Sequence, residues 1–452
     1  MKVFTMILPV CVLASILFLC WNLVAAYETK PQFHVAPMQG YTNAQTRKLF
    51  HLLSPSLIRW TEMEKLDDIF PKTESPEYLV DALEKRLGPP SNYYDTKTEN
   101  NQANLVLQLG TNDPKRLYEC VQHTVKRYDN IKEINLNCGC PAIESGGATT
   151  YGAKLMTDAK LTGELVHAAQ TALEGFENSS HFLPKISAKC RIGVFESDKD
   201  MRPLDQESDY QYLRNYLSTI QENGGNHVIL HARPAILSGL SPVKNRIVPT
   251  LDYDFVETIA TEFEESLDIT LNGGITRLSQ LQSFQKQSDS PISSHMAGRW
   301  CLRRPLDLVG VEALLNEETL ESSSCLPTIQ NAIEQYIDDA VLIAGSTSSQ
   351  RHKPTIAELS LPLFLITEQL RDDYDYEDEH EVERPMLSYD DIEALYDVIQ
   401  EGVTQLEEFS NKGKKKKKKE SDDMNFKRLS SSFKSLVGTK VANKWKRNRA
   451  EL

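Results

Sequence analysis

The sequence predicts an α/β protein, a (β/α)8 TIM barrel followed by a C-terminal helical domain. Short runs rich in β-branched residues alternate with helix-length segments across residues 33–315. This order implies parallel strands with right-handed crossovers, and eight strands close a barrel. A doubly wound open sheet is the alternative, but no GxGxxG motif follows the first strand. The predicted strands are 33–36, 57–63, 104–109, 133–137, 184–189, 227–231, 268–272 and 293–297.

Length and composition are those of a folded protein. The chain has 452 residues, of which 40% are hydrophobic and 25% charged. These values exclude global disorder, collagen and a multi-span membrane protein. Eight cysteines are too few for a disulfide scaffold in a chain of this length. The sequence contains no CxxC pair, which argues against a zinc ribbon. We expect no metal site.

Residues 1–26 have the pattern of a targeting or anchoring segment. After Lys2 no charged residue occurs before Glu28, and residues 3–26 are mostly apolar. A positive start, an apolar run and small residues near its end fit a cleaved signal peptide. The run is also long enough for an uncleaved membrane anchor. The segment therefore suggests an organelle reached through the secretory route or a membrane-anchored body, with the cytoplasm as the alternative.

The C-terminal third changes character. Residues 327–410 predict a helical domain with helices at 328–344, 356–371 and 389–408, and residues 372–383 form an acidic stretch expected to be a solvated loop. Residues 411–452 carry 15 basic and 4 acidic residues in a chain whose net charge is −14. We expect a disordered tail, although 426–445 could form a basic amphipathic helix for RNA or an anionic membrane. The tail indicates either a polyanionic partner or a nuclear address.

Polar residues and glycines follow the predicted strands. Barrel enzymes build their active sites on the face where the strands end. Any one such residue could be a satisfied strand terminus, but their coincidence on eight strands favours a site. The sequences at these ends are APM, TEM, LQL, NLNCGCP, KCR, HAR, NGG and GR.

The last strand ends predict a phosphate site. Gly273 and Gly274 follow the seventh strand, and Gly298 and Arg299 follow the eighth. Glycine permits close backbone approach, and arginine binds phosphate bidentately. His231 could donate to the same group.

Three further side chains suggest a flat, electron-rich ligand at the same mouth. Lys189 ends the fifth strand among apolar neighbours, and its cation would suit either a reduced flavin ring or a Schiff base. Gln108 and Asn137 are amides placed to hydrogen-bond a heterocycle. A phosphate site, a cation and two amides together favour FMN.

Cys140 is the candidate reactive thiol. It precedes a proline in a sharp turn after the fourth strand, where it could act as nucleophile or proton donor. A lone cysteine is usually inert, but this one lies on the predicted active face. Cys138 is interpreted as a packing residue.

Together these motifs resemble the tRNA-dihydrouridine synthases, and among them the DusA-like subfamily. The similarity runs from about residue 33 to residue 315 in family order, and LSGLSP…NR…P.LDY is its most subfamily-specific segment. The matching stretches are HVAPMQGYTNAQTRKLF, TEM, LVLQLGTNDPKRL, EINLNCGCP, YGAKLM, KCRIG, VILHARPAILSGLSPVKNRIVPTLDY, LNGGI and AGRW.

The resemblance implies an FMN flavoprotein that uses NADPH to reduce the C5=C6 bond of a uridine in the D-loop region of tRNA. It implies that Cys140 gives a proton to C5, that Asn137 and Arg246 lie near the tRNA, and that Arg191 and Arg233 assist. It further implies a helical domain that helps hold tRNA. We expect a monomer whose basic tail adds to the attraction for tRNA. The FMN-binding residues implied by the resemblance are Pro37, Met38, Gln39, Gln108, Lys189, His231, Asn272, Gly273, Gly274, Gly298 and Arg299.

Two other functions remain open from the sequence. One is an FMN-dependent barrel oxidoreductase that acts on a small pyrimidine or enone. The other is a binding protein of the same fold without catalysis, which the presence of Cys140, Lys189 and His231 disfavours.

Overall fold

A computed structural model describes most of the chain. The described residues are 31–73, 75–88, 103–128, 131–141, 150–176, 183–287, 289–292, 294–318, 322–346, 353–375, 386–410 and 426–451. The predicted signal or anchor segment, the run of six lysines and most of the acidic stretch lie outside them. Within the described ranges, no helix combines the length and apolar character needed to cross a membrane.

Eight parallel strands close into a barrel, so the predicted (β/α)8 architecture is confirmed. Their order around the barrel is β1-β10-β9-β7-β5-β4-β3-β2, and β6 pairs with β8 outside it. All eight predicted strands form, with ends that differ by at most two residues. The strands are Gln32–Val35 (β1), Ile58–Lys65 (β2), Ala103–Gly110 (β3), Ile131–Asn137 (β4), Lys185–Arg191 (β5), Val194–Phe195 (β6), His227–His231 (β7), Ala235–Ile236 (β8), Asp268–Asn272 (β9) and Ser294–Ala297 (β10).

Helices follow the strands and continue beyond the barrel. Their bounds are Ala44–Leu53 (α1), Leu66–Ile69 (α2), Pro76–Leu87 (α3), Pro114–Arg127 (α4), Ala159–Thr171 (α5), Ser208–Glu222 (α6), Tyr253–Phe263 (α7), Leu278–Gln285 (α8), Arg299–Arg303 (α9), Leu308–Leu315 (α10), Ser322–Gly345 (α11), Ile356–Tyr374 (α12), Tyr389–Ser410 (α13), Phe426–Val437 (α14) and Thr439–Glu451 (α15).

Strand alternation decides which side chains reach the barrel interior. In β3, Leu105, Leu107 and Leu109 pack in the cluster shared with the surrounding helices, whereas Val106 packs inside the barrel with Trp60 and other strand residues. Successive side chains of a strand point to opposite faces, so the next residue on the Val106 side is Gln108. The same period directs the polar strand ends into the mouth.

A polar network closes the barrel below the mouth. Glu133 accepts hydrogen bonds from His227 at 2.9 and 3.0 Å, and the other ring nitrogen of His227 lies 2.8 Å from Thr270 Oγ1. Burial alone would raise the pKa of Glu133, but the positive charge of His227 and its hydrogen bond lower the pKa to about 2. The carboxylate is therefore charged in the folded barrel.

We predict that His227→Leu lowers the unfolding free energy by about 3–5 kcal/mol at neutral pH, because Glu133 would stay buried without its partner. Since folding lowers the pKa of Glu133 from 4.5 to about 2, the stabilisation exists above pH 4.5 and is lost as the pH falls toward 2. Urea denaturation should show that the difference in unfolding free energy between the variant and the wild type becomes smaller as the pH falls over that interval.

The control for this variant is Lys185→Ala, which removes an exposed ion pair with Asp268. An exposed pair contributes at most about 1 kcal/mol. A His227→Leu protein no less stable than Lys185→Ala would contradict the account.

The C-terminal helices pack on the barrel around one shared apolar cluster. Helix α11 contacts α13 and α1, and α12 contacts α13 and the segment after α9. The expectation of a solvated loop over residues 372–383 is wrong at the start of that range. Residues 372–374 continue α12 rather than starting a solvated loop, and Asp373 is buried because Arg304 pairs with it at 2.7 Å.

The expectation of a disordered tail is wrong for residues 426–451, which form α14 and α15. Leu429, Phe433 and Leu436 of α14 and Trp445 of α15 are buried in the cluster of the helical domain. Phe364 of α12 contacts the rings of Phe433 and Trp445. The apolar spacing that suggested an amphipathic helix thus serves packing within the chain.

Candidate active site

Buried amides form a ladder across the barrel mouth. Asn137 Nδ2 donates to Gln108 Oε1, and Gln108 Nε2 donates to Asn135 Oδ1, each at 2.9 Å. Asn135 Nδ2 in turn donates to Ser187 Oγ at 2.8 Å. Each amide fixes the orientation of the next, so the polar groups of Gln108 and Asn137 are held in place before any ligand arrives.

Asn137 also shapes the turn that carries Cys140. Its Oδ1 accepts hydrogen bonds from the backbone N–H of Gly139 at 3.2 Å and of Cys140 at 3.0 Å. Arg191 Nε donates to the carbonyl of Gly139 at 3.2 Å, and the N–H of Ala153 donates to the carbonyl of Cys140 at 2.9 Å. Hydrogen bonds therefore hold both the N–H groups and the carbonyl groups of the backbone at Gly139 and Cys140.

The two cysteines of this turn have different environments. Cys140 is partly exposed, and its negative charge, when present, would raise the pKa of Lys189, Arg191 and Tyr151. It therefore lies in electrostatic range of the cations at the mouth. Cys138 is fully buried, and burial raises the pKa of its thiol to about 12, in line with its interpretation as a packing residue.

Lys189 is held at the end of β5 by Asn272. Its Nζ donates to Asn272 Oδ1 at 2.9 Å, and Asn272 Nδ2 donates to the carbonyl of Met296 at 2.9 Å. Burial and the neighbouring charge of Arg191 lower the pKa of Lys189 to about 7. No described carboxylate pairs with Lys189, so its amino group is available to an anionic or electron-rich ligand, which would favour the charged form.

The glycine pair after β9 lies against His231. Both glycines have positive φ, 111° for Gly273 and 76° for Gly274, a region that side chains other than glycine rarely adopt. A Cβ on Gly273 would lie 3.0 Å from His231 Nε2, and one on Gly274 would collide with the Tyr253 hydroxyl. The strand end therefore stays open next to the histidine ring.

His231 has a buried nitrogen without a partner. No described group hydrogen-bonds its Nδ1. Burial and the positive charges of Arg191 and Lys189 lower the pKa of His231 well below its ordinary value. The ring is neutral and retains one free hydrogen-bonding site.

Arginines converge on the same edge of the mouth. Arg299 follows Gly298 directly, and burial together with the charges of Arg246 and Arg233 lowers its pKa. A Cβ on Gly298 would lie 2.9 Å from Met38 Sδ and 3.2 Å from Ala36 Cβ, so the chain passes close to the residues after β1 at this glycine. Arg233 donates to the carbonyl of Pro249, which fixes the loop carrying Arg246. No described carboxylate pairs with Arg299, so the edge attracts anions.

The residues after β1 complete the rim. Pro37 is partly buried, and the carbonyl of Met38 accepts hydrogen bonds from the backbone of Tyr41 and Thr42, each at 3.0 Å. Gln39 is exposed and donates to Glu62 Oε2 at 2.9 Å. Burial raises the pKa of Glu62. The structure brings all fourteen residues singled out from the sequence to strand ends or to the loops above them.

Some residues of the site were not singled out from the sequence. Asn135 joins the amide ladder, and Thr61 Oγ1 accepts from the backbone of Gln108 at 3.1 Å. Arg191, named from the sequence only as a helper, donates to the carbonyls of Pro234 and Asn245 at 3.3 and 3.1 Å and joins three loops. Asn135 could have been found from the sequence, because it lies two residues before Asn137 in β4 and therefore points to the same face of the strand.

A closed parallel barrel with a cationic, amide-lined mouth defines a (β/α)8-barrel enzyme with its site at the carboxyl ends of the strands. Residues 34–357 match the family model described as dihydrouridine synthase (Dus). This match covers more than half of the chain, and the protein belongs to the dihydrouridine synthase family.

Curated relatives agree with this family. The chain is 30% identical over 316 residues to the tRNA-dihydrouridine(20/20a) synthase of Shewanella oneidensis, covering 69% of this chain and 79% of that protein. It is 31% identical over 326 residues to the tRNA-dihydrouridine(20/20a) synthase of Xanthomonas campestris, and the match covers 72% of this chain and 83% of that protein. With the Escherichia coli K12 protein of the same description it shares 30% identity over 296 residues, covering 65% and 70%.

Proposed function

We propose that this protein reduces the C5=C6 bond of a uridine in the D-loop region of tRNA, with FMN as bound cofactor and NADPH as electron donor. The supporting observation is the joint position of Cys140 and Lys189 at one mouth, where Asn137 and Arg191 fix the turn that carries the thiol. The relatives named as tRNA-dihydrouridine(20/20a) synthases support the choice of substrate.

The residues of the mouth fit FMN. His231 Nδ1 and Arg299, for which the described residues offer no hydrogen-bond partner and no carboxylate respectively, suit a phosphate group, as does the strand end at Gly273 and Gly274. Lys189 and Gln108 offer a cation and an amide to the polar edge of a flavin ring, and Pro37, Met38, Gln39, Asn272 and Gly298 would complete its surroundings. When bound, FMN supplies the hydride that C6 of the uracil accepts.

The chain itself supplies the proton and the orientation. Cys140 Sγ–H gives its proton to C5, and the thiolate left behind regains a proton from solvent. This role requires a protonated thiol at the moment of transfer. Asn137 holds the turn under Cys140 through two backbone hydrogen bonds, so the thiol keeps its position above the mouth.

A uridine must leave its stack to enter the mouth, which costs a few kcal/mol. Contacts between the arginines and the tRNA backbone would offset that cost. Arg246 lies beside Arg233 and Arg299 at the mouth edge and is positioned for such contacts.

The proposal is tested by incubating purified protein with NADPH and with tRNA that lacks dihydrouridine. Bound flavin absorbance, NADPH consumption and new dihydrouridine in the tRNA are the expected results. Equal turnover on free uridine would instead support an oxidoreductase acting on a small pyrimidine. Flavin-free protein that still binds tRNA would support a binding protein.

We predict that Arg299→Gln weakens FMN binding by about 10- to 100-fold, since a charge-assisted hydrogen bond contributes about 1.5–3 kcal/mol. Arg303→Gln is the matched control, because Arg303 is exposed at the other end of the same short helix. Fluorescence titration of the apoprotein with FMN measures both affinities. Equal affinities in the two variants would contradict a phosphate contact at Arg299.

We further propose that residues 1–26 direct the protein to a membrane or into an organelle. The support is the apolar run of residues 3–26 with a single preceding lysine. Dihydrouridine mapping in tRNA from each compartment of cells lacking the protein tests this. Loss of the modification from cytoplasmic tRNA alone, together with recovery of the protein in the membrane-free fraction of the cells, would contradict this proposal.

A further inference from the structure

The two C-terminal helices carry a dense positive surface on an acidic protein. Residues 426–451 include eight basic residues and one acidic residue, whereas the whole chain has a net charge of −14. Lys440, Lys444 and Arg447 are exposed and lie on one face of α15, since they are four and three residues apart. Lys434 of α14 is exposed as well. None of the four pairs with a described carboxylate.

The apolar faces of both helices are already used. Leu429, Phe433 and Leu436 are buried against the helical domain, and Trp445 packs on Phe364 with ring centroids 5.2 Å apart. A helix that binds membranes inserts its apolar face among the lipid tails. Here that face is occupied by the protein itself, so the exposed side offers charge alone. A polyanion that presents phosphates at its surface suits this chemistry better than a bilayer.

A short chain of contacts joins α15 to the barrel mouth. Arg449 pairs with Asp372 at 2.6 Å, and the next residue, Asp373, pairs with Arg304 at 2.7 Å. Arg304 directly follows α9, the five-residue helix that begins at Arg299. At 1.5 Å per residue this helix is only about 8 Å long. Helix α15 is therefore connected, through α12 and Arg304, to the short helix that begins at the mouth.

We propose that Lys434, Lys440, Lys444 and Arg447 form a second docking surface for the phosphate backbone of the tRNA whose uridine enters the mouth. This inference rests on the proposed function. The surface contacts phosphates rather than bases, so it adds affinity without sequence preference. It lies outside residues 34–357, which match the family model, and is a feature of this chain's own C-terminal extension.

The test replaces three exposed charges on α15 in the full-length flavoprotein, Lys440→Gln with Lys444→Gln and Arg447→Gln. Affinity for unmodified tRNA is measured over a series of salt concentrations. Each lost phosphate contact lowers the slope of log affinity against log salt by about 1, so we expect a decrease of about 3. KM for tRNA should rise while kcat stays unchanged, because the mouth is intact.

The matched control removes the same charge elsewhere, through Lys85→Gln, Lys126→Gln and Lys286→Gln. These lysines are exposed at the ends of α3, α4 and α8, which lead back to the barrel face opposite the mouth. The control should keep the salt slope and KM of the wild type. Thermal melting should be unchanged in both triple variants, since all six side chains are exposed.

An α15 variant with the wild-type salt slope and KM would overturn the docking surface. Unchanged tRNA affinity with lost binding to phosphatidylserine vesicles would overturn it as well and assign the surface to membranes. Failure of the proposed function has a different signature, namely wild-type protein that makes no dihydrouridine at any salt concentration.

Discussion

Replacing Cys140 with alanine should lower the rate of uridine reduction by about 10²- to 10⁴-fold, the contribution usual for a general acid. The turn should persist, because its hydrogen bonds to Asn137 come from backbone N–H groups that alanine keeps. Bound flavin and tRNA affinity should therefore match the wild type. Single-turnover rates with prereduced enzyme measure the effect on the chemical step alone.

Cys138→Ala is the matched control, since it removes a thiol from the same turn. That thiol is fully buried, and burial raises its pKa to about 12. The variant should reduce uridine at nearly the wild-type rate. If Cys140→Ala also retained the wild-type rate, another group would have to deliver the proton.

Replacing Lys189 with methionine should reduce the rate by about 10²- to 10³-fold, as removal of one preorganised donor to a developing negative charge commonly does. The apolar part of the side chain is preserved, so the loss reports on the charge. The variant also leaves Asn272 Oδ1 without its 2.9 Å donor. Lys185→Met, at the exposed start of the same strand, should leave the rate unchanged.

The pH dependence gives Lys189 a second readout. Burial and the charge of Arg191 lower the pKa of Lys189 to about 7, so its positive charge is present below that pH and is lost above it. An anionic ligand nearby would move the transition upward. The wild-type rate should fall on the alkaline side, and Lys189→Arg should shift this fall to higher pH. An identical profile in both proteins would remove Lys189 from the reaction.

The barrel could be predicted because its strands carry a local signal. Short runs rich in β-branched residues alternate with helix-length segments along residues 33–315. The same logic brought Lys189, Asn272 and His231 to one mouth, since parallel strands present their ends on one face. The hydrogen bond between Lys189 and Asn272 could not be predicted from the sequence, because it depends on how two strands are aligned whose residues lie 83 positions apart.

The tail was mispredicted for a physical reason. Residues 426–451 are rich in lysine and arginine, and such a composition suggests that too little apolar surface is available for folding. Phe433 and Trp445 nevertheless contact Phe364 of α12, which precedes them by 69 and 81 residues in the sequence. Asp373 was misjudged likewise, because its partner Arg304 comes from the end of the barrel.

A thiol acting across the mouth from the flavin is tested most directly by counting dihydrouridine formed per bound flavin when prereduced enzyme meets unmodified tRNA without NADPH. We expect wild-type protein to form one dihydrouridine for each flavin and Cys140→Ala, carrying the same flavin, to form almost none on the same time scale. Equal yields and rates from the two proteins, or a purified protein that holds no flavin, would contradict a thiol acting across the mouth from the cofactor.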